Sequence, residues 1–244
     1  MSKTILIVGA TRGLGASLRT LYASNPSTHV FATTRSEEKS DPESRVSWIS
    51  NVDLTKPDVG QKLVSQLPSS TKLSSVIITA GFFGLETFDT PDWEKQVQMY
   101  TTWSKSGYLT EGSKVILVSS ESGSIMLRHE KEGGGNYGHH ASKTALNMVG
   151  KLLSLDLKPN GIAVSLVHPG FMRTGMTKGV GFDKYWDDGG AVTPDEAAKS
   201  LANFIDEFDI SKTGEYWAPR GPGDIGTVES VLGSDLPTPL RLPW

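Results

Sequence analysis

The stretch Thr4-Ile5-Leu6-Ile7-Val8-Gly9-Ala10-Thr11-Arg12-Gly13-Leu14-Gly15 decides the fold. Thr4–Val8 is a short apolar run and reads as a buried strand. Leu14–Ser24 reads as an amphipathic helix ended by Asn25-Pro26. Between them lies a turn with Gly9 and Gly13, and Gly15 opens the helix, so the backbone can bend tightly and let a ligand come close. The helix then presents its free N–H groups and positive dipole end at that turn, which suits a pyrophosphate. Gly9, Thr11, Arg12, Gly13, Leu14 and Gly15 are therefore candidate phosphate contacts. A glycine string alone is weak evidence; the strand before it and the helix after it supply the required context.

Outward from this unit, apolar runs alternate with helical patterns, as in parallel strands joined by helices. Val30–Thr33, Val46–Ser50, Ser75–Thr79, Lys114–Ser119 and Ala163–His168 read as further strands. Pro57 opens a helix through Leu67. Ala141–Leu157 is the longest helical pattern. Asp195–Phe208 is another, with Thr193 as its cap before Pro194, and Glu215–Ala218 reads as a last strand. The expectation is an α/β fold in one domain over residues 1–244. Residues 219–244, rich in Pro and Gly, read as an irregular tail laid over the surface through Leu240, Leu242 and Trp244.

Composition narrows the function. Hydrophobic residues make up 37%, enough for a sizeable core. A net charge of −3 provides no basic field for nucleic acid or an anionic membrane. The chain has no cysteine, which removes disulfides, thiolate metal sites and a cysteine nucleophile and suits a reducing cytoplasm. The first residues show no secretory pattern. No apolar run approaches the roughly 20 residues of a membrane span, and no His/Asp/Glu set has defensible metal spacing.

The end of the second strand reads the adenosine. An acidic residue there would suit an unphosphorylated ribose. This chain instead has Thr33-Thr34-Arg35, with Arg12 in the phosphate turn. Two guanidiniums can grip a 2′-phosphate, so NADP(H) is expected rather than NAD.

Further motifs follow in order: Asp53, Ala80-Gly81, Ser119-Ser120, Ala141-Ser142-Lys143 and Pro169-Gly170. Together with the glycine turn, this series resembles the short-chain dehydrogenase/reductase family over nearly the whole chain. Asn136 to Thr174 and the ending Leu242-Pro243-Trp244 resemble its small C-factor-type branch. The resemblance implies a Rossmann-type, doubly wound parallel sheet. It also implies that Asp53 lies near the adenine, that Ala80-Gly81 lines the cofactor's middle, and that Pro169-Gly170 and Thr174 face the nicotinamide carboxamide. Thr79 stands where the family often has Asn, and the exchange is expected to remove a support in the sheet.

The family holds the substrate oxygen with a Ser, gives the proton from a Tyr, and binds the nicotinamide ribose with a Lys four residues later. Ser120 and Lys143 match two of these roles. The residue four before Lys143 is His139, not Tyr. Tyr137 is six before it, and six helical residues rotate a side chain by about 240°, against about 40° for four. His139 is therefore the positional match, and Tyr137 reaches the site only if the helix starts after it and Gly133-Gly134-Gly135 lets the loop swing. His139 titrates in the range useful for proton transfer, but Lys143 beside it favours the neutral ring. Between Trp93 and Val115 the chain looks too short for the family's long helix; Tyr100 to Ser104 offers no Asn for the proton relay. That helix also helps build the family's dimer, so a homo-oligomer stays open without it.

Phe82, Phe83, Phe171 and Met172 follow the cofactor motifs. Tyr185 and Trp186 sit in a Gly179–Gly190 loop that could serve as a lid. These residues suit a small apolar, polyketide-like carbonyl substrate. Three functions stay open: an NADPH-dependent reductase of an apolar ketone or aldehyde; a non-redox lyase, isomerase or cyclase using His139 as acid/base; and a cofactor-binding regulator without catalysis.

Overall fold

Successive side chains alternate between two apolar clusters along the central strands of the computed structural model, which describes residues 2–37, 45–56, 58–81 and 108–244. In β1 (Lys3–Val8), Ile5 and Ile7 enter one apolar cluster while Leu6 and Val8 enter another. β5 (Leu109–Val118) repeats this, with Ile116 on the first side and Val115 and Leu117 on the second. Such strands are covered on both faces, as parallel sheets require.

The sheet has eight strands in the order β3-β2-β1-β4-β5-β6-β7-β8. The others are β2 (Thr28–Thr33), β3 (Val46–Ile49), β4 (Leu73–Ile78), β6 (Ala163–Val167), β7 (Glu215–Ala218) and β8 (Leu240–Arg241). β1 to β7 pair in parallel, and β8 lies antiparallel on β7. The expected doubly wound α/β sheet is thus present. Strand order reverses at β1, which has β2 on one side and β4 on the other. Chains leaving these two strands diverge and open a crevice at the C-terminal ends.

α1 (Gly13–Ala23) and α5 (Pro194–Glu207) cover one face, burying Leu14, Leu18, Tyr22, Leu201, Phe204 and Ile205. α5 begins at Thr193, whose Oγ1 accepts from the Glu196 N–H while the Glu196 carboxylate accepts from the Thr193 N–H. α2 (Val59–Gln66) and α3 (Tyr137–Leu157) cover the other face. Two short helices complete the list among the described residues, α4 (Gly175–Gly179) and α6 (Val228–Leu232).

α3 starts four residues before the Ala141 expected from sequence. It lies close on the sheet because Gly150 leaves room: a Cβ there would sit 2.8 Å from side-chain carbons of Leu117 and Leu166. This close approach sets the height of the helix over β5 and β6, and so the position of every side chain it sends to the strand ends.

Residues 219–244 depart from the irregular surface tail expected. They contain α6 and β8, and Ile225, Val228, Leu240 and Leu242 are all buried in the core. Burying these apolar side chains outweighs the local preference of a Pro- and Gly-rich composition. The proposed shortening between Trp93 and Val115 falls largely outside the described residues, as do Phe82, Phe83, Tyr100 to Ser104 and Pro57. No helix among the described residues is long and apolar enough to cross a membrane.

Replacing Gly150 by Val is expected to cost about 1–3 kcal/mol of stability through overpacking. Urea denaturation followed by circular dichroism measures it; an unchanged midpoint would show that α3 is not seated as described.

Candidate active site

The crevice at the strand ends has a volume of ≈ 1060 Å³. At one end stands the N-terminus of α1. Its N-cap residue, Arg12, makes no side-chain capping bond, and its first turn has no acidic residue. The first N–H groups of a helix lack intrahelical partners, so those of Gly13, Leu14 and Gly15 form a positive, uncapped rim of the cleft. Gly15 permits the tight approach beneath them: a Cβ there would lie 2.2 Å from the Gly9 carbonyl oxygen and 2.6 Å from Thr79 Oγ1. Thr79 does not cost the sheet its support. Its hydroxyl reaches the carbonyl oxygens of Val8 and Gly9, 3.1 Å each, tying the end of β4 to the turn.

Beyond α1, exposed Arg12 and Arg35 both line the cleft. Asp53 lines it beside them. Its Oδ1 accepts from the Thr55 N–H (3.0 Å) and hydroxyl (2.9 Å). The backbone bond from Thr55, then its hydroxyl, Lys56 and Arg35, hold the Asp53 carboxyl below its usual range against slight burial. Ala80 and Gly81 line the middle.

Ser120, His139 and Lys143 all line the cleft as well. Ser120 lies two residues past the end of β5; its Oγ accepts from the Ser122 N–H (3.3 Å) and lies 3.1 Å from Ser122 Oγ. That bond caps the turn Glu121–Gly123 while leaving the residue on the cleft wall. Lys143 Nζ donates to the Val118 carbonyl at 3.3 Å, and a Cβ at Gly81 would stand 3.9 Å from it. Burial lowers its pKa to about 8. One turn earlier on α3, His139 also lines the cleft. Burial, then the positive charge of Lys143, with His140 and Arg128 behind, drives its pKa down to about 3. The neutral ring expected from Lys143 is thus enforced chiefly by desolvation.

Tyr137 is not brought to the cleft. α3 begins at Tyr137 itself, so helical rotation carries its side chain away from the face of Lys143. It is 50% exposed, and its hydroxyl lies 3.2 Å from where a Gly134 Cβ would stand. Pro169, Gly170 and Thr174 do line the cleft. Thr174 caps α4, its Oγ1 accepting from the Thr177 N–H. Its methyl would be 3.8 Å from a Gly13 Cβ, directly across from α1. The Gly179–Gly190 segment holds a 3₁₀ turn, Phe182–Tyr185, whose Phe182 and Tyr185 line the cleft with Phe171, Met172 and Met176. Trp186 turns elsewhere, its Nε1 donating to Thr177 Oγ1 at 3.3 Å.

Sequence reasoning missed further residues of the site. Tyr216 donates its hydroxyl to the Ser120 carbonyl. Ser119 Oγ donates to Asn147 Oδ1 at 2.6 Å, both buried. Glu121, paired with Arg128, lines the cleft next to Ser120. His168 and Asp224 line it as well. Only Asn147 had a local signal, one helical turn after Lys143. Among the described residues no group of acidic or histidine side chains could hold a metal ion.

This architecture defines a doubly wound α/β protein with one cleft at its switch point. The chain belongs to the short-chain dehydrogenase family, whose model matches residues 3–184; it is thereby a member of an oxidoreductase family. It is 28% identical over 224 residues to 1-hydroxy-2-glutathionyl-2-methyl-3-butene dehydrogenase of Rhodococcus sp. (strain AD45), covering 87% of this chain and 95% of that one. It is 40% identical over 63 residues to the C-signal of Myxococcus xanthus, covering 26% of this chain and 36% of that one. An NADPH-bound carbonyl reductase from chicken fatty liver shares the fold, with a TM-score of 0.77, 18% identity, and coverage of 100% of this chain and 99% of that one.

His139 has a folded pKa of about 3 against an unfolded value of about 6.5. In that window the unfolded chain binds the extra proton, so stability falls as pH drops from about 6.5 towards about 3. His139→Gln should therefore lose less stability than the parent over this range. Urea midpoints against pH measure it; parallel curves would contradict the burial of His139.

Proposed function

We propose that the protein is an NADP(H)-dependent oxidoreductase that reduces a small apolar ketone or aldehyde to its alcohol. One observation carries this reading: the uncapped N-terminus of α1, flanked by two guanidiniums, opens into the same cleft as Lys143 and Ser120. The N–H groups of Gly13 to Gly15 fit a pyrophosphate. Arg35 and Arg12 fit a 2′-phosphate, with Asp53 beside the adenine. A dinucleotide anchored this way would have its nicotinamide half held by Ala80-Gly81, Lys143, Pro169-Gly170 and Thr174, which line the same cleft. The NADPH named with the chicken structure supports the same choice of cofactor. The cysteine-free composition supports a cytoplasmic setting.

When bound, the cofactor supplies the hydride. Ser120 Oγ would hold the carbonyl oxygen. His139 stands where the family's Tyr is expected, but its ring is uncharged at neutral pH and is not an acid strong in population. Lys143, with a pKa of about 8, is still protonated there. Lys143 therefore both holds the ribose and provides the proton that the developing alkoxide takes up, with neutral His139 as a hydrogen-bonding wall. Phe171, Met172, Phe182 and Tyr185 exclude water from the substrate end.

The test is NADPH oxidation against a panel of hydrophobic ketones and aldehydes. The rate is expected to be flat below about pH 8 and to fall above it as Lys143 loses its proton. Lys143→Met should lower kcat by about 10²–10⁴-fold; full activity in that variant would remove Lys143 from the chemistry. Separately, Arg35→Ala should weaken NADPH about tenfold and leave NADH unchanged. Equal effects on the two, by fluorescence titration, would contradict 2′-phosphate recognition.

A further inference from the structure

The cleft lining contains a buried polar chain that the proposed chemistry does not use. His168 follows β6 and is 6% exposed. Its Nδ1 accepts the Glu121 N–H at 3.0 Å. An accepting Nδ1 leaves the ring proton on Nε2. Nε2 lies 3.5 Å from Asp224 Oδ2, long for a hydrogen bond, and finds no closer partner among the described residues.

Asp224 is 1% exposed on its side chain and comes from the C-terminal segment after β7. Its Oδ2 also accepts the Phe171 N–H, and Arg220 Nη1 stands 3.3 Å away. Burial alone would raise the Asp224 pKa; His168, the Phe171 N–H and Arg220 together reverse this and hold it low. Between these bonds sits Gly170 at φ +101°, where a Cβ would lie 2.6 Å from Arg220 Nη1 and 2.8 Å from Asp224 Oδ2.

One carboxylate thus fixes the turn after β6, and the imidazole that faces it at 3.5 Å is itself bonded to the loop that carries Ser120. We propose that His168 and Asp224 are positioning residues, a clamp that holds the Pro169–Phe171 turn and the Ser120 loop in the shape that receives the nicotinamide half of the cofactor. The inference rests on the cofactor orientation proposed above. Neither residue supplies a proton or touches the adenosine end. Their effect is preorganisation: a turn already held by Asp224 need not be ordered when the ligand binds. The chain 220–224 thereby becomes part of the site, although it lies outside residues 3–184 that match the family model.

The experiment compares two ligands on the full chain. NADPH carries both halves; adenosine 2′,5′-bisphosphate carries only the adenosine end. Asp224→Asn keeps the size of the side chain and removes its charge. His168→Asn keeps an acceptor for the Glu121 N–H but cannot reach Asp224. Each variant is expected to bind NADPH about tenfold more weakly while binding the bisphosphate within about twofold of the parent. Bisphosphate binding also reports that the variant is folded. If NADPH affinity is unchanged, or if both ligands weaken in parallel, the clamp is overturned and the cofactor reading stands. If the parent binds neither ligand, the cofactor reading falls and the clamp falls with it.

Discussion

The free N-terminus of α1 is the constraint on which the rest of the structure depends. Its first N–H groups have no capping side chain, and they face a cleft rather than a neighbouring carboxylate. A helix end left in this state is favourable only where water or an anion meets it. Thr79 and the bare Cα of Gly15 hold that end against the tips of β1 and β4, where the strand order reverses. Position and charge at this point are consequences of the same few residues.

The second organising feature is electrostatic. α3 brings Lys143 and His139 to the cleft, one turn apart, with Arg128 and His140 behind them. Desolvation disfavours protonation of both, and at the histidine the charges of Lys143, His140 and Arg128 add to it; the histidine yields more completely because its charged form is also less stable at the outset. A tyrosine at position 139 would respond in the opposite sense, since positive neighbours favour its anion. Ser120, meanwhile, is held in place through the Tyr216 bond to its carbonyl.

Much of this was legible in the chain because it is local. The strand, glycine turn and first helix occupy adjacent residues, and the apolar run of that strand matches its burial. Thr193 was readable as a cap for the same reason. What escaped has a physical explanation in each case. Tyr137-Gly138-His139-His140 are weak helix formers, so the start of α3 is set by packing on the sheet rather than by propensity. That start decides that Tyr137 points away. The C-terminal segment looked irregular because of its Pro and Gly content; Leu240 and Leu242 were readable as packing residues, but Ile225 and Val228 were not. The bonds from Tyr216 to Ser120 and from Asp224 to Phe171 join residues far apart in sequence, and no local pattern announces them.

The most direct measurement is a crystal structure at saturating NADPH. The account predicts the pyrophosphate on the N–H groups of Gly13 to Gly15, the 2′-phosphate between Arg12 and Arg35, and the nicotinamide ring between Gly170 and Lys143. A dinucleotide lying in the reverse direction, or phosphates bound away from α1, would contradict it.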